Sequence, residues 1–477
     1  MVRGSGRKRG RSDDRAASNG AATRMVDDEV TSEEEDDDDF GRLPEDDAEG
    51  EDEPRARETA EQKRLRIAKA YIQSIKPREG EREDGGDEDD DRDAVAERLK
   101  VDALQERGHF QRQIVDLLEV PAPSSSRRIV ARPFRDGGGN HPLPLTAVAV
   151  SDADEAHAFT VSKDGSLVGW DVEAGTRRFA FTKRVRDHLR AKAAGGEGSS
   201  AGFSDRKPAL LTVAVSGDGN MVATGGVSKA VGVWDARSGD HIADFPGHKG
   251  SVTGLAFQKG TNQLFSCSAD RTIKIWSLDD MAYVDTLYGH VSEVNALDCL
   301  RKERVVSVGT DRSCRIWKVP EETQLLFKGH AASTDSCALI GPTTFVTGSQ
   351  DGSLALWSMF KKRAVHTVPR AHEAGPGQTA GAGWVGAVAA CPHTDLVASG
   401  AGNGVIKLWG VRDAGKRQEL SLHSELAVAG YVNGLAFSKN ASYLVAAVGQ
   451  EPRLGRWGRE KGSKNSLFIQ RLKLTSS

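Results

Sequence analysis

A seven-residue phrase that starts with Asp and ends with Trp recurs along the chain and restricts the folds open to it. The copy from Asp270 to Trp276 has the pattern of a tight turn followed by an alternating strand that is closed by Trp. Three further copies keep the same Asp-to-Trp spacing, namely Asp164 to Trp170, Asp311 to Trp317 and Asp351 to Trp357. Degraded copies end at Trp234, Trp409 and Trp457, with Ser228, Asn403 and Glu451 in the place of the Asp.

The spacing of these Trp residues predicts the fold. Seven of the eight Trp residues are separated in turn by 64, 42, 41, 40, 52 and 48 positions. A period near 40 with four short strands per unit and a Gly-His…Trp signature is typical of a β-propeller. One four-stranded sheet cannot bury both faces alone, so neighbouring units must stack until the ring closes. The sequence therefore predicts an all-β fold, a seven-bladed WD-repeat β-propeller over residues 141–477.

Gly-His dipeptides precede three of the repeats and suggest a hydrogen bond that is repeated from blade to blade. We expect each imidazole to meet the Asp of its own repeat, because a buried carboxylate needs a partner. A His–Asp pair also occurs in catalytic triads, but a pair copied along the chain serves the repeat. The predicted structural sets are His248, Asp270 and Trp276; His290, Asp311 and Trp317; and His330, Asp351 and Trp357.

The charge of the chain is divided between its two parts. Residues 1–120 contain 22 Lys and Arg against 36 Asp and Glu, whereas residues 121–477 contain 43 against 33. A net charge of +10 on the propeller behind an acidic tail favours a polyanion as the partner of the propeller. A scattered surface excess of basic residues with no patch is the alternative.

The sequence lacks the motifs of the common catalytic and cofactor sites. No Walker-type loop, nucleophile elbow or zinc-protease helix occurs, so we predict no enzyme activity, no cofactor, no metal and no small-molecule substrate. The five Cys residues lie far apart and are expected to be reduced core thiols of an intracellular protein. No apolar run is long enough to cross a membrane, and no secretory signal is present.

The residues before the propeller divide into three segments. Residues 1–57 are predicted to be a disordered tail, with a basic start and 17 acidic residues between Asp27 and Glu53. The basic start is either a nuclear import signal, a weak nucleic-acid contact or an unremarkable tail. Residues 58–120 are predicted to form two amphipathic helical segments with an acidic linker, the second carrying Ile114, Leu117 and Leu118 near its end. These helices need a surface to dock on, which is either the propeller or, as we favour, another protein.

Three further segments leave alternatives open. Residues 121–140 are predicted to be a hinge with a possible closing strand, and either this strand or the strand 466–474 takes the outermost place of the last blade. Residues 183–207 and 369–383 are long Gly-rich insertions, which either bind a partner or have no task.

Several phrases of the chain resemble the WD-repeat protein family of the U3 small nucleolar ribonucleoprotein. The segment from Ala94 to Lys100, followed by Leu104 to Gly108, is similar to the family's pre-propeller helix. The phrase Val448 to Trp457 is similar to the family's ending, which ordinary WD repeats do not share. The resemblance extends over residues 58–474, but blade one shows Asn140-His141 in place of Gly-His.

This resemblance implies a non-catalytic protein of the nucleus and nucleolus that binds the U3 small nucleolar RNA. It would do so together with a small kink-turn-binding protein and other box C/D and small-subunit processome proteins. Its pathway would be the pre-rRNA cleavage that leads to small-subunit rRNA. Basic side chains on one rim and in loops would neutralise phosphates, while the folded shape of the RNA would be read more than its sequence.

The candidate RNA contacts are basic residues that the repeat places beside the His and Asp turns and, as the next choice, two Arg residues in the ending phrase. For each of them a solvated surface charge is the alternative interpretation. The candidates are Lys163, Lys249, Arg271, Arg312, Arg453 and Arg456.

Two other classes of propeller compete with this interpretation. Trp234-Asp-Ala-Arg237 fits the short Trp-Asp-x-Arg pattern of propellers that resemble cullin ubiquitin ligase adaptors. A chromatin-binding propeller would hold a histone tail in its central channel. Neither explains the predicted helices or the ending phrase.

Overall fold

A computed structural model describes residues 112–120, 126–130, 141, 143–181, 209–301, 303–374, 381–414, 417–455 and 457–475. The predicted helix at 58–76, the start of the second helix, the 183–207 insertion and the tail 1–57 lie outside these residues. Within them, no helix is long and apolar enough to cross a membrane.

The described residues form seven four-stranded antiparallel sheets, which are the blades of a propeller. Six blades take four consecutive strands each. Blade one has β3 (Leu145–Val150), β4 (His157–Ser162), β5 (Leu167–Asp171) and β6 (Thr176–Phe181). Blade two has β7 (Leu210–Val215), β8 (Met221–Gly226), β9 (Val231–Asp235) and β10 (His241–Phe245). Blade three has β11 (Val252–Phe257), β12 (Gln263–Ser268), β13 (Thr272–Ser277) and β14 (Ala282–Tyr288).

The remaining blades follow the same order. Blade four has β15 (Val294–Cys299), β16 (Arg304–Gly309), β17 (Ser313–Lys318) and β18 (Thr323–Lys328). Blade five has β19 (Thr334–Leu339), β20 (Thr344–Ser349), β21 (Leu354–Ser358) and β22 (His366–Val368). Blade six has β23 (Val385–Ala390), β24 (Leu396–Ala401), β25 (Val405–Ala414) and β26 (Arg417–Ala427). Blade seven has β27 (Tyr431–Phe437), β28 (Tyr443–Gly449), β29 (Ser466–Arg471) and, from before blade one, β2 (Arg127–Val130).

The first strand of each blade contacts the first strand of the next, and β27 contacts β3, so the ring is closed. Each apolar core cluster lies between two neighbouring blades; Phe265 and Ile275 of blade three, for example, pack with Val305 of blade four. The antiparallel order puts the turns between second and third strands, and the connections between blades, on one face. We call this the upper face, and the opposite one the lower face. The all-β, seven-bladed prediction is confirmed.

Blade seven is closed by the chain segment that precedes blade one. β2 pairs antiparallel with β29, with Arg128 opposite Phe468. The Arg128 guanidinium donates to Ser466 Oγ at 2.8 Å and to the carbonyls of Ala429 and Lys464. The segment near 128 therefore takes the outermost place, a choice that the sequence left open. Ring closure joins the two ends of the described chain by a sheet ladder.

The residues just before this closure also lie on the propeller. The Asp395 carboxylate of blade six accepts the backbone N–H groups of Ile114 at 2.8 Å and Val115 at 3.2 Å. Val115–Leu117 form one 3₁₀ turn, and β1 (Leu118–Glu119) pairs with β30 (Lys473–Leu474). The prediction of a helix that runs to residue 118 is wrong at this end, because Asp395 and β30 bind backbone groups that a helix would use.

Trp457 differs most from its prediction. It lies between β28 and β29 in a loop of 16 residues, 450–465, and 53% of its surface is exposed. The place of the blade Trp is taken by Gln470, which pairs with Leu444 as Trp276 pairs with Leu264. The interpretation of Trp457 as the end of a degraded repeat is therefore wrong, because the ending phrase is an insertion within blade seven.

The five Cys residues are free thiols buried in the blades. Burial raises the pKa of Cys267 and Cys314 to about 12, so both stay protonated near neutral pH. In the described part of the chain, no three His, Cys, Asp or Glu side chains are grouped as a metal site.

Candidate nucleic-acid interface

A hydrogen-bonded chain of four side chains fixes the upper edge of blade three. Trp276 Nε1 donates to Ser266 Oγ at 2.8 Å, and this oxygen is also 2.8 Å from His248 Nε2. His248 Nδ1 lies 2.9 Å from Asp270 Oδ2, which also accepts the backbone N–H of Lys249. Burial by itself would raise the pKa of Asp270, but these bonds, led by the one to His248, hold the pKa well below its usual value. The expected bond between the His248 imidazole and the Asp270 carboxylate is present in the structure.

Blade four repeats this arrangement and blade five departs from it. His290 Nδ1 lies 3.0 Å from Asp311, and the Trp317 indole donates to Ser307 at 2.8 Å. In blade five, His330 Nδ1 is bonded to Ser353 Oγ at 2.9 Å. Asp351 there accepts the backbone N–H groups of Ser353 and Ala331. The predicted direct bond between His330 and Asp351 is therefore absent among the described contacts, because the Ser353 hydroxyl stands in its place.

Two histidines that the Gly-His search did not include complete the same network in blades one and six. His141 Nε2 lies 2.7 Å from Thr160 Oγ1, and His372 Nε2 lies 2.7 Å from Ser399 Oγ. The sequence marks the hydroxyl group that each of these histidines contacts, because a Ser or Thr stands ten positions before the Trp of each of the first six blades. These residues are Thr160, Thr224, Ser266, Ser307, Thr347 and Ser399, and each accepts the indole N–H.

The turn after each Asp position requires a left-handed backbone. Glycine supplies it in blades one, five and six, where Gly165, Gly352 and Gly404 have φ of 78° or 79°. Blades two, three and four place basic residues there, and their φ angles are 65°, 73° and 59°. These residues are Lys229, Arg271 and Arg312, and all three are exposed. A side chain with a Cβ costs roughly 1 kcal/mol in this conformation, a cost that Gly avoids.

The strained residues form part of a basic surface on the upper face. Lys249 is exposed and follows His248, and its N–H binds the same carboxylate that precedes Arg271. We call Lys229, Lys249, Arg271 and Arg312 the basic arc. In the described part of the chain, none of the four forms an ion pair with a carboxylate. Lys229 was missed from the sequence because Ser228 replaces the Asp of the repeat, although its position relative to Trp234 marks it.

The other predicted RNA contacts lie in different surroundings. Lys163 is only 9% exposed, and its ammonium group donates to the carbonyls of Pro452 at 2.7 Å and Gly455 at 2.8 Å. Its charge therefore holds the 450–465 loop against blade one. Arg456 lies outside the described residues.

Arg453 reaches from the 450–465 loop to the opposite side of the ring. Its guanidinium donates to the carbonyl of Asn295, on the innermost strand of blade four, at 2.8 Å. Asp335 of blade five attracts it, while burial lowers the pKa of the guanidinium. The loop thus crosses the upper end of the central channel. A chromatin-type mode, with a peptide entering the channel from this face, conflicts with that arrangement.

The short pattern that suggested a ligase adaptor has a local structural explanation. Trp234 is buried, and Asp235 Oδ1 accepts the backbone N–H of Arg237 at 2.7 Å. The Asp therefore stabilises the hairpin between the third and fourth strands of blade two. This pattern is accounted for without a ligase partner.

The closed ring, the repeated Trp–hydroxyl–His network and the basic arc define the class of the protein as a WD-repeat β-propeller. The family model described as "WD domain, G-beta repeat" matches residues 239–277, 281–318 and 376–410.

Comparison with known proteins gives the family. The chain is 38% identical over 430 residues to a U3 snoRNP-associated protein-like protein of Arabidopsis thaliana, covering 88% of this chain and 87% of that protein. It is 38% identical over 417 residues to human U3 small nucleolar RNA-interacting protein 2, covering 86% and 82%. A solved structure entitled "Structure of U3-55K" is 37% identical, with a TM-score of 0.64, and covers 74% of this chain and 100% of that chain. The chain belongs to the family of U3 snoRNP-associated WD-repeat proteins.

Proposed function

We propose that this protein is a non-catalytic component of the U3 small nucleolar ribonucleoprotein that binds the U3 RNA through its basic arc. It acts in the nucleolus, in the pre-rRNA cleavage that leads to small-subunit rRNA. The names of its relatives support the particle, since the human relative is named for its interaction with U3 small nucleolar RNA. The basic arc is the observation that carries the RNA-binding role.

The arc suits a phosphate backbone for an energetic reason. Three consecutive blades place Lys or Arg in a turn conformation that costs roughly 1 kcal/mol per residue, whereas three other blades use Gly. The side chains of these three turn residues are exposed, so the packing of the blade does not need them and they are free to serve a function. Four exposed cations on one face create a local positive potential that attracts phosphates.

The remaining partners belong to the same proposal. The particle also contains a small kink-turn-binding protein and other box C/D and small-subunit processome proteins, which the acidic N-terminal region contacts. The 450–465 loop, held by Lys163 and Arg453, lies on the same upper face as the arc. We propose that Arg453 and Lys163 position this loop beside the RNA.

The proposal is tested by reversing the charge of three arc residues, Lys229, Arg271 and Arg312, to Glu. The binding of transcribed U3 RNA to the full chain is then measured over a range of salt concentrations. Each lost phosphate contact lowers the slope of log K against log salt by about 0.7 to 0.9. We expect the slope to fall by about 2 and the affinity to fall with it.

The matched control is a second triple variant, which changes the net charge by the same amount at residues outside the arc. Arg237, Lys439 and Lys473 are exposed basic residues in lower-face turns and at the chain end. Their replacement by Glu alters the total charge equally. If both triple variants lose affinity to the same extent, only the net charge of the propeller matters and the arc is not the RNA-binding site.

A further inference from the structure

The hairpin between β21 and β22 of blade five has a surface that the propeller fold does not need. Phe360 is 83% exposed, the largest exposed fraction of any large apolar side chain in the described part of the chain. Lys361, Lys362 and Arg363 follow it and are all exposed. None of the three forms an ion pair with a carboxylate among the described residues. We call residues 360–363 the blade-five tip.

The tip is held on a rigid base. The N–H of Lys361 donates to the carbonyl of Ser358 at 3.1 Å, and that of Val365 donates to the carbonyl of Leu356 at 2.8 Å. Met359 and Ala364, on either side of the tip, pack against the core shared by blades four and five. The side chains of the tip therefore project from a fixed hairpin on the lower face, where Lys361, Lys362 and Arg363 line an open depression of about 490 Å³.

The corresponding hairpins of the two preceding blades have the opposite charge. Blade three carries Asp279 and Asp280, and blade four carries Glu321 and Glu322. All three hairpins connect a third strand to a fourth strand, so the repeat itself requires neither sign of charge. The three consecutive cations and the exposed ring are a property of blade five alone within this series.

We propose that the blade-five tip binds a single-stranded RNA segment, with an unpaired base stacked on Phe360 and adjacent phosphates bound by the three cations. An exposed aromatic face beside several cations is the combination that binds unpaired nucleotides. An acidic peptide would satisfy the cations but would leave the ring unused, and a duplex presents no free base face. This inference rests on the proposed RNA-binding function and adds a second RNA contact on the face opposite the basic arc.

The test uses the full chain and a twelve-residue oligouridine as the probe. Phe360→Ala should weaken binding roughly tenfold, as the loss of one stacked base does, while Phe360→Trp should retain it. Replacing Lys361, Lys362 and Arg363 together by Ala should lower the salt slope by about 2, since each single-strand phosphate contact contributes about 0.7. Met281→Ala, at an exposed site on the equivalent hairpin of blade three, is the control and should leave binding unchanged.

The outcomes separate this inference from the proposed function. If both tip variants bind oligouridine and U3 RNA like the unmodified protein, while the arc variant loses U3 RNA, the tip proposal is overturned and the arc stands. If the triple Ala variant loses affinity for oligouridine but Phe360→Ala does not, the cations contact phosphates without a stacked base, and the proposed stacking on Phe360 is overturned. If the tip variants lose oligouridine binding while the arc variant keeps U3 RNA, the tip stands and the arc falls.

Discussion

Removal of the repeated Asp should destabilise the propeller by different amounts in different blades, although the sequence motif is the same. Asp270 accepts four hydrogen bonds, from His248 Nδ1, the backbone N–H groups of Lys249 and Thr272, and the Thr272 hydroxyl. Asp351 accepts the backbone N–H groups of Ser353 and Ala331 and a side-chain hydrogen bond from Ser353, but none from His330 among the described contacts. The variants Asp270→Ala and Asp351→Ala therefore compare one motif position in two hydrogen-bonding environments.

The magnitude follows from the groups that each substitution leaves behind. Asp270→Ala removes a charge-assisted bond and leaves Nδ1 of the fully buried His248 imidazole with only the Thr272 hydroxyl at 3.4 Å, which costs about 3 kcal/mol in the free energy of unfolding. Asp351→Ala leaves His330 bonded to Ser353, so its cost is about 1 kcal/mol. Asp311→Ala should resemble Asp270→Ala, because His290 depends on it in the same way.

Urea unfolding of the full chain, followed by Trp fluorescence, measures these differences. With a slope near 3 kcal/mol per M, the midpoint should fall by about 1 M for Asp270→Ala and by about 0.3 M for Asp351→Ala. Ser353→Ala serves as the reciprocal control, since it removes the hydroxyl bonded to His330 and should cost more than Asp351→Ala. Equal midpoints for Asp270→Ala and Asp351→Ala would refute the assignment of the hydrogen bonds.

Further measurements examine the pH dependence, the ending phrase and the channel. The pKa values of Asp270 and Asp311 are lower in the folded chain than the ordinary 3.8, so their stabilisation is complete well above pH 3.8 and is lost as the pH falls through and below it. Acid titration of the Asp270→Ala variant should therefore show a smaller loss of stability than the unmodified protein; an equal loss would contradict this. Trp457→Ala should change the free energy of unfolding by less than about 1 kcal/mol, whereas Trp276→Ala should cost about 3 to 5 kcal/mol. Arg453→Met should release the loop and speed its cleavage by trypsin at neighbouring sites without unfolding the blades; unchanged cleavage would show that the bond to Asn295 does not hold the loop.

The repeat could be predicted from the sequence because its signals are local. An Asp six residues before a Trp marks one turn and one strand, and both depend on neighbours along the chain. The same reasoning failed at Trp457, where a Trp at the expected period lies in an insertion. Periodicity alone could not distinguish a Trp on a blade strand from a Trp in an insertion. Only the pairing of β29 with β28 shows that Gln470 takes the Trp position in blade seven.

The candidate site was predicted less completely, for a reason of the same kind. The sequence indicated Lys249, Arg271 and Arg312 as exposed basic residues beside the turns, and the structure leaves them exposed. It also indicated Lys163 and, as the next choice, Arg453, whose charges are bound by carbonyl groups between 158 and 292 residues away in the sequence. Such contacts depend on which blades the ring brings together.

The sequence by itself determined the class of fold and the division of charge, because each is a property of local pattern or composition. The count of seven units was right, although one of the seven Trp residues behind it, Trp457, lies in an insertion. Tertiary structure alone decided that β2 closes blade seven, that Ser353 replaces Asp351 beside His330, and that the 450–465 loop crosses the channel. In each case the sequence offers more than one group that could form the hydrogen bond. The tertiary structure decides which of these groups lies close enough to form it. The closed ring selects among those groups by placing one of them within about 3 Å.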